Sequence, residues 1–520
     1  MEFVIFTYLL LALVSLFGYL YLLLKRRFDY WKNLKVPYIE PQSYVFGQDK
    51  KVATGELSMA ENQLEVYKKL APHKYGGIFF FQNPAFIVRD PELIKHVLTK
   101  DFAHFYDRSM YFDKPYESLT RHLFNLTGEQ WKTIRAKLTP TFSTGKLKLM
   151  FAYVKECVDE LISVVDERQD EEIEMKDLMA RYTVDVISSC AFGLRTNSLR
   201  NPDAEFKRMG VQALAPTAWT RVKNILVAIA PRLVFFLKIR TFDDQVTEFF
   251  HRIVRETVQY REENNVTRND FLHQALQLRN QDESEAKKES SEGITLNEKS
   301  VELTLDIITA QCFVIFLGGF ETSSSALSFT LFQLSQNPHV QQKLQEDVDR
   351  VFDKYNDEIT YDALQEMTYA DMVIHETLRK YPAIPFLVRT CTEDYKIPDT
   401  DTVIKRGTWT FVPIYGLHHD PAYFSNPDDF YPEHFTEEAI KSRPHYTYLP
   451  FGEGPRICIG IRLGLMQVKL ALVSLIRNYS FSLSPNMKLP MTFEKHTVLT
   501  HSENGILVVC TKRNHESKDT

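Results

Sequence analysis

Cysteine is scarce and scattered in this chain: six residues (Cys157, Cys190, Cys312, Cys391, Cys458 and Cys510) spread over more than 350 positions, with no Cys-x-x-Cys pair. That spacing excludes a disulfide scaffold and a zinc ribbon. An excess of one charge is missing too. The 62 Lys and Arg stand against 68 Asp and Glu, a net −6 with an isoelectric point near 6.2, whereas a general nucleic-acid binder shows a basic domain or stripe. There is no Gly-x-Ser-x-Gly elbow, and Gly145-Lys146 is followed by Leu147 and lacks the upstream glycine of a phosphate loop. His375-Glu376 opens like a zinc-protease motif, but Arg379 stands where the second histidine should be. Gly452-Glu-Gly454 begins like a dinucleotide fingerprint and ends on Ile457, with no strand-turn-helix unit around it. Ordinary hydrolase, NTPase and metalloprotease chemistry has no foothold here.

Long apolar runs are absent except for one. Residues 3–24, FVIFTYLLLALVSLFGYLYLLL, carry no charge and as a helix would extend about 33 Å, enough to cross a bilayer core. Glu2 precedes the run and Lys25, Arg26 and Arg27 follow it, the reverse of a cleaved signal peptide. Residues 1–27 are therefore expected to form a membrane anchor with its basic flank, and the remainder to stay on the cytoplasmic side. The sequons at Asn125, Asn265 and Asn478 would then remain unmodified. Pro37, Pro41 and Gly47 mark 28–50 as a stiff connector, which leaves 51–520 as a single globular body. With 44% hydrophobic residues, 37 Phe and 25 Tyr, that body can build a large core.

Helical periodicity covers 144–165, 175–190, 243–264, 301–334, 339–355, 370–381 and 459–478. Strand-like stretches are short, at 77–89, 385–397, 403–412 and 505–511. The charged, aperiodic segment 279–299 reads as a solvated loop. The expected fold class is mainly α with a small β part.

The most informative segment is Phe451-Gly-Glu-Gly-Pro-Arg-Ile-Cys-Ile-Gly460. Its glycines permit tight turns and close approach of a flat ligand. A cysteine at the start of a helix faces backbone N–H groups and the positive end of the dipole, so a lowered thiol pKa is expected for Cys458. One thiolate without a nearby histidine is short of ligands for zinc, whereas haem iron needs one protein ligand on its proximal side. Alone, Cys458 would more readily be a buried structural cysteine.

FGEGPRICIG resembles the haem-ligand signature FxxGxRxCxG of the cytochrome P450 family at every fixed position. Four further motifs follow the family order: Trp131-Lys-Thr-Ile-Arg135, Gly318-Gly-Phe-Glu-Thr322, Glu376-Thr-Leu-Arg379 and Phe430-Tyr-Pro-Glu-His-Phe435. The resemblance extends over the whole chain, and TAQCFVIFLGGFETSS and CIGIRLGLMQVK are similar to insect microsomal subfamilies associated with xenobiotic metabolism. It implies a P450-like haem-thiolate fold, with haem b held by Cys458 as axial metal ligand and contacted by Trp131, Arg135, Arg389, Arg456 and Phe451. Arg108 is a looser candidate.

The resemblance further implies monooxygenation of small apolar substrates: xenobiotics such as insecticides or plant toxins, or endogenous lipids and steroids. Thr322 would act in dioxygen activation and Glu321 as a proton-relay acid. The purely structural alternatives for these residues are a threonine bonding back to the carbonyl of residue 318, with a local kink at Gly318-Gly319, and an ion-paired glutamate. Glu376 and Arg379 would form a structural pair, weakened because His434 replaces the usual arginine. No flavin or nicotinamide motif is present, so the electrons of NADPH would come from NADPH-cytochrome P450 reductase, docked near Arg456, with cytochrome b5 as a further donor. The implied location is the endoplasmic reticulum membrane, with no nucleic-acid partner. Two other readings are a haem-thiolate isomerase or dehydratase acting on peroxides, and a non-catalytic haem-binding membrane protein. The substrate pocket is expected along 108–124, 313–320, 384–388 and 499–501, lined in part by aromatic rings.

Overall fold

The computed structural model describes residues 2–108, 114–215, 217–291 and 303–514. The apolar run forms helix α1 (Glu2–Phe28), which ends on its three basic residues. The large apolar side chains of Phe3 to Leu16 and of Tyr19, Tyr21, Leu22 and Leu23 are exposed, and the helix is long and apolar enough to cross a membrane. The connector is more than a spacer: Phe28, Trp31 and Val36 are buried, Trp31 Nε1 donates to the carbonyl of Ile78 at 2.9 Å, and Tyr38 bridges Gly77.

The body is built from α2 (Gly128–Leu138), α3 (Thr144–Asp166), α4 (Met175–Ile187), α5 (Asp244–Asn264), α6 (Phe271–Ser291), α7 (Leu305–Gln336), α8 (Pro338–Lys354), α9 (Thr368–Lys380) and α10 (Ile461–Asn478). Helix α7, about 48 Å long, runs through the main core and packs most extensively on α4. Its start is fixed by Thr304, whose hydroxyl accepts from the N–H of Ile307, so it begins after the expected residue 301; residues 301 and 302 lie outside the described residues. Apolar on nearly every side, α7 reads as a buried central helix.

Strands β1 (Tyr75–Phe80) and β2 (Asn83–Val88) form a hairpin where one strand was expected, turning at Phe81 with φ of 51°. The others are β3 (Glu172–Glu174), β4 (Leu387–Thr390), β5 (Tyr395–Lys396), β6 (Val403–Ile404), β7 (Trp409–Val412), β8 (Tyr479–Leu483) and β9 (Leu507–Lys512). They make a four-stranded sheet in the order β1-β2-β7-β4, parallel only between β2 and β7, together with a β3-β9-β8 sheet and a β5-β6 pair. The expected loop at 279–299 is corrected: α6 continues to Ser291, anchored by buried Phe271, Leu272 and Ala275 at its start, and 292–299 lie outside the described residues.

Candidate functional site

Helix α10 begins just after Cys458 and crosses α7, where Gln467 Nε2 donates to Gly319 O at 3.1 Å and to Ser323 Oγ at 2.6 Å. This crossing brings the cysteine loop and the Gly318–Thr322 turn of α7 to one place. The loop is held by its backbone. Cys458 N donates to Phe451 O at 3.0 Å, and Ile457 N to Gly454 O at 2.9 Å. Gly454 has φ of 74°, and a Cβ there would lie 2.0 Å from the carbonyl oxygen of Leu98, so glycine is required. Phe451 is partly buried against the main core.

Cys458 has accessible surface yet is surrounded by dense protein, so it opens onto an enclosed cleft and not onto the outer surface. Burial raises its thiol pKa, partly offset by the N–H of Gly460, Arg108 and Arg135. The expectation of a lowered pKa is corrected on two counts. Gly460, not Cys458, caps α10, and desolvation outweighs the nearby dipoles and cations.

On α7, residues 314, 315, 317, 318, 319 and 322 keep accessible surface, and Val314, Ile315, Gly318 and Thr322 among them fall at helical spacing on one face. Open space surrounds Gly318 where a side chain would begin. The expected aromatic lining is corrected here: Phe313, Phe316 and Phe320 are fully buried and stack into a core cluster with Phe192, Phe206, Phe249 and Phe250. Of the other expected wall, 109–113 lie outside the described residues. Thr322 Oγ1 donates to Gly318 O at 2.6 Å, the expected back-bond, within an α-helix that continues unbroken past the anticipated kink.

Four arginines surround the cysteine loop. Arg135 Nη1 donates to Ile457 O at 2.9 Å and Arg108 Nη2 to Arg456 O at 3.0 Å. Arg456 stacks on the Trp131 ring at 4.0 Å, and each of its three nitrogens donates to a carbonyl, of Tyr106, Leu123 and Leu126. Arg389 is different. It is buried, and among the described residues only its Nη1 has a partner, Val388 O at 2.9 Å, while Nε and Nη2 have none, nor has the buried Nε1 of Trp131. Burial and mutual repulsion push the guanidinium pKa values down, to about 10 for Arg108, about 9 for Arg389 and about 8 for Arg456. Buried donors and cations without acceptors fit a flat apolar group that carries carboxylates into the cleft, as a haem does. His122, which motif reading passed over, also has a buried unpartnered Nδ1 and a pKa lowered to about 3 by burial and by Arg108.

Glu321 is ion-paired, and its partners had no signal in the sequence. Lys176 on α4 donates to its carboxylate, and His501 Nε2 lies 2.9 Å from Oε1. These cations overcome the cost of burial and hold the Glu321 pKa at about 2.

Behind the cysteine loop, Glu376 and Arg379 are sealed from solvent and pair through two hydrogen bonds of 2.8 Å. Arg379 also donates to the carbonyls of His418 and Asp429. The network is complete despite the missing arginine: His434 Nδ1 lies 3.2 Å from Glu376 Oε2 and its Nε2 2.9 Å from Ser425 O.

The sequence model of the family described as Cytochrome P450 matches residues 40–509. Among similar chains are "Probable cytochrome P450 6a14" of Drosophila melanogaster, 39% identical over 96% of this chain and 98% of that one, and "Cytochrome P450 6A1" of Musca domestica, 38% identical over 96% and 97%. "Cytochrome P450 6k1" of Blattella germanica is 37% identical over 96% of this chain and 95% of that one. A mainly helical body with small sheets, a cysteine loop at the crossing of α7 and α10 and relatives along nearly its full length together place this chain in the cytochrome P450 family of haem-thiolate monooxygenases.

Proposed function

We propose that this chain oxidises small apolar compounds by inserting one oxygen atom of O2, with Cys458 as the thiolate ligand of haem b. The observation that carries the reading is the pairing of an accessible cysteine at the crossing of α7 and α10 with the unpartnered donors of Arg389 and Trp131. Trp131, Arg135, Arg389, Arg456 and Phe451 hold the group, with Arg108 beside them. Arg389 and Trp131 have donors to spare for its carboxylates, whereas Arg456 chiefly braces the loop through the carbonyls it binds. Bound there, haem would supply the oxidising chemistry, with Cys458 as the residue that holds its iron and tunes it electronically.

The protein's own task is positioning and proton supply. The accessible face of α7, with Val314, Ile315 and Gly318, gives an apolar wall for substrate. Thr322 holds its hydroxyl at that wall by donating to Gly318 O, and its lone pairs stay available to accept a proton from Glu321's side and pass one on. The resemblance to insect microsomal subfamilies favours foreign compounds such as insecticides or plant toxins over lipids or steroids. Electrons are assigned to NADPH through NADPH-cytochrome P450 reductase, with cytochrome b5 as a further donor, because the sequence carries no flavin or nicotinamide motif. Residues 1–27 anchor the chain, 28–50 join anchor to body while packing Phe28, Trp31 and Val36 into it, and 51–520 form the catalytic domain on the cytoplasmic face of the endoplasmic reticulum. An exposed apolar helix ending on Lys25, Arg26 and Arg27 supports that orientation.

The test is the carbon monoxide difference spectrum of the dithionite-reduced protein, wild type beside Cys458→Ser. A strongly red-shifted Soret band in wild type alone is expected. A spectrum unchanged by the substitution would overturn the ligand assignment.

A further inference from the structure

Glu321 sits at the inner end of a line of titratable groups that reaches the surface. His501 Nε2 lies 2.9 Å from Glu321 Oε1, and His501 Nδ1 lies 3.4 Å from Glu494 Oε2. Side-chain exposure falls along this line, from 38% at Glu494 to 13% at His501 and 10% at Glu321. The arrangement is built by backbone: Glu494 N donates to His501 O at 2.9 Å, Phe493 bridges Ser502, and Thr500 N donates to Ala383 O at 3.0 Å. The charged groups acting on His501 are Glu321 from α7, Lys176 from α4 and Glu494 from its own hairpin.

We propose that His501 is a positioning residue that supplies protons to Glu321 from solvent at Glu494. The proposal rests on the reading of Glu321 and Thr322 as the proton donors of the reaction, and it adds the source from which they are recharged. A carboxylate faces each ring nitrogen, so the doubly protonated ring satisfies both, whereas a neutral ring turns one lone pair against a carboxylate oxygen. Consistent with this, the two carboxylates hold the His501 pKa above its ordinary value in spite of burial and Lys176.

In the transfer, the Nε2–H bond breaks and an O–H bond forms at Glu321 Oε1; the imidazolium becomes neutral and the carboxylate becomes a carboxylic acid. After Glu321 passes its proton toward Thr322, one proton taken from solvent on the Glu494 side restores the imidazolium, so one proton moves and the starting charges return. The transfer to Glu321 is uphill. With an attempt rate of about 10¹²–10¹³ per second against turnover of about 1–10³ per second, several powers of ten are available before this step limits the enzyme. Lys176 also touches the Glu321 carboxylate and donates to Ser324 and Ser325 at 3.1 Å, but an ammonium is ordinarily a far weaker acid than an imidazolium, which leaves His501 as the better proton donor.

The experiment uses the full-length haem-loaded protein in vesicles with reductase, ethoxycoumarin as the probe, and the variants His501→Gln, Glu494→Gln and Thr322→Ala. For His501→Gln, product per NADPH should fall by about tenfold, less than the roughly hundredfold or more of a directly acting general acid, with a rise in released peroxide and a flattened pH profile between about pH 6 and 8. Glu494→Gln should give a smaller loss of the same kind. Hydrogen peroxide supplied in place of NADPH and O2 brings its own protons, so the His501→Gln defect should disappear in that assay.

A readout independent of turnover is the thermal midpoint against pH. The raised His501 pKa means that its stabilising contribution is fully present below the unfolded value and is lost as pH rises through the folded value. The midpoint gap between wild type and His501→Gln should therefore be widest below about pH 6.5 and close at higher pH. A pH-dependent midpoint gap with unchanged product per NADPH would make His501 a structural ion-pair member and overturn the proposal, as would a defect that persists with peroxide. If Thr322→Ala leaves product per NADPH unchanged, the underlying reading of Glu321 and Thr322 fails instead.

Discussion

Arg379 and Arg389 stand ten residues apart in the chain, both sealed from solvent, and they meet the cost of burial differently. Arg379 faces a carboxylate that matches its fork and two carbonyls that take further N–H groups, and Glu376 in turn accepts from Tyr431 N and lies beside His434. Among the described residues Arg389 has one backbone acceptor and two nitrogens with none. A buried cation whose partners are all protein is a structural fastening. One whose donors remain unmatched, beside the unpartnered Nε1 of Trp131 and close to the cysteine loop, is half of a binding site.

The contrast predicts opposite responses to removal. Arg379→Ala should leave Glu376 charged, buried and short of its partner at a cost of about 3–5 kcal/mol, read by denaturant titration and yield of folded protein; a loss under about 1 kcal/mol would break the comparison. A third buried charge gives the next effect. The Glu321 pKa is depressed from 4.5 to about 2, so its ion pairs stabilise the fold above about pH 4.5 and are lost as pH falls toward 2. The shift is worth about 3 kcal/mol, and acid unfolding followed beside Glu321→Gln should show that component vanish in the variant.

Arg389→Met should leave the haem-free fold as stable or slightly more stable, because it gives up one bond to a carbonyl, Val388 O, and removes a buried cation with two donors unpartnered among the described residues. It should speed haem transfer to an acceptor protein by about 10–100-fold, the equivalent of one charged hydrogen bond of roughly 1.5–3 kcal/mol. Unchanged haem retention would remove Arg389 from the site. The smallest effect is expected at His434: replacement by Ala costs about 1–2 kcal/mol, since Glu376 keeps Arg379 and Tyr431 N, and replacement by Arg restores that loss if a fork can enter. Both are measurable as midpoint shifts.

What could be read beforehand follows the same division. The cysteine loop, the Glu376–Arg379 pair and the Trp131–Arg135 turn carry chemistry at fixed spacing, so their residues were visible in the chain. Lys176 and His501 were not, because each meets Glu321 from a distant element and nothing local marks the encounter; the one usable signal was that a glutamate inside an apolar helix requires a cation. Rings at 313, 316 and 320 were misassigned to the pocket, since on a helix apolar all round hydrophobicity does not say which face meets core and which meets cleft. The helix to Ser291 was missed because its charged half has no apolar stripe to announce it, and the three-residue β3 is too short for any alternation.

The burial of Phe28, Trp31 and Val36 against the first hairpin sets where the membrane segment can be trimmed to make a water-soluble preparation. Gly77 is so close to the Trp31 ring that an added Cβ would lie 2.3 Å from it, which makes that tryptophan a wedge of the catalytic body. A truncation that starts at Lys25 keeps the wedge and sheds mostly lipid-compatible surface, losing from the body the packing of Leu24 and the Tyr21–Tyr44 ring contact. One that starts past Val36 opens a hole beneath the sheet and exposes its apolar floor, so aggregation of the shorter product would reflect a missing piece of the fold and not the loss of lipid.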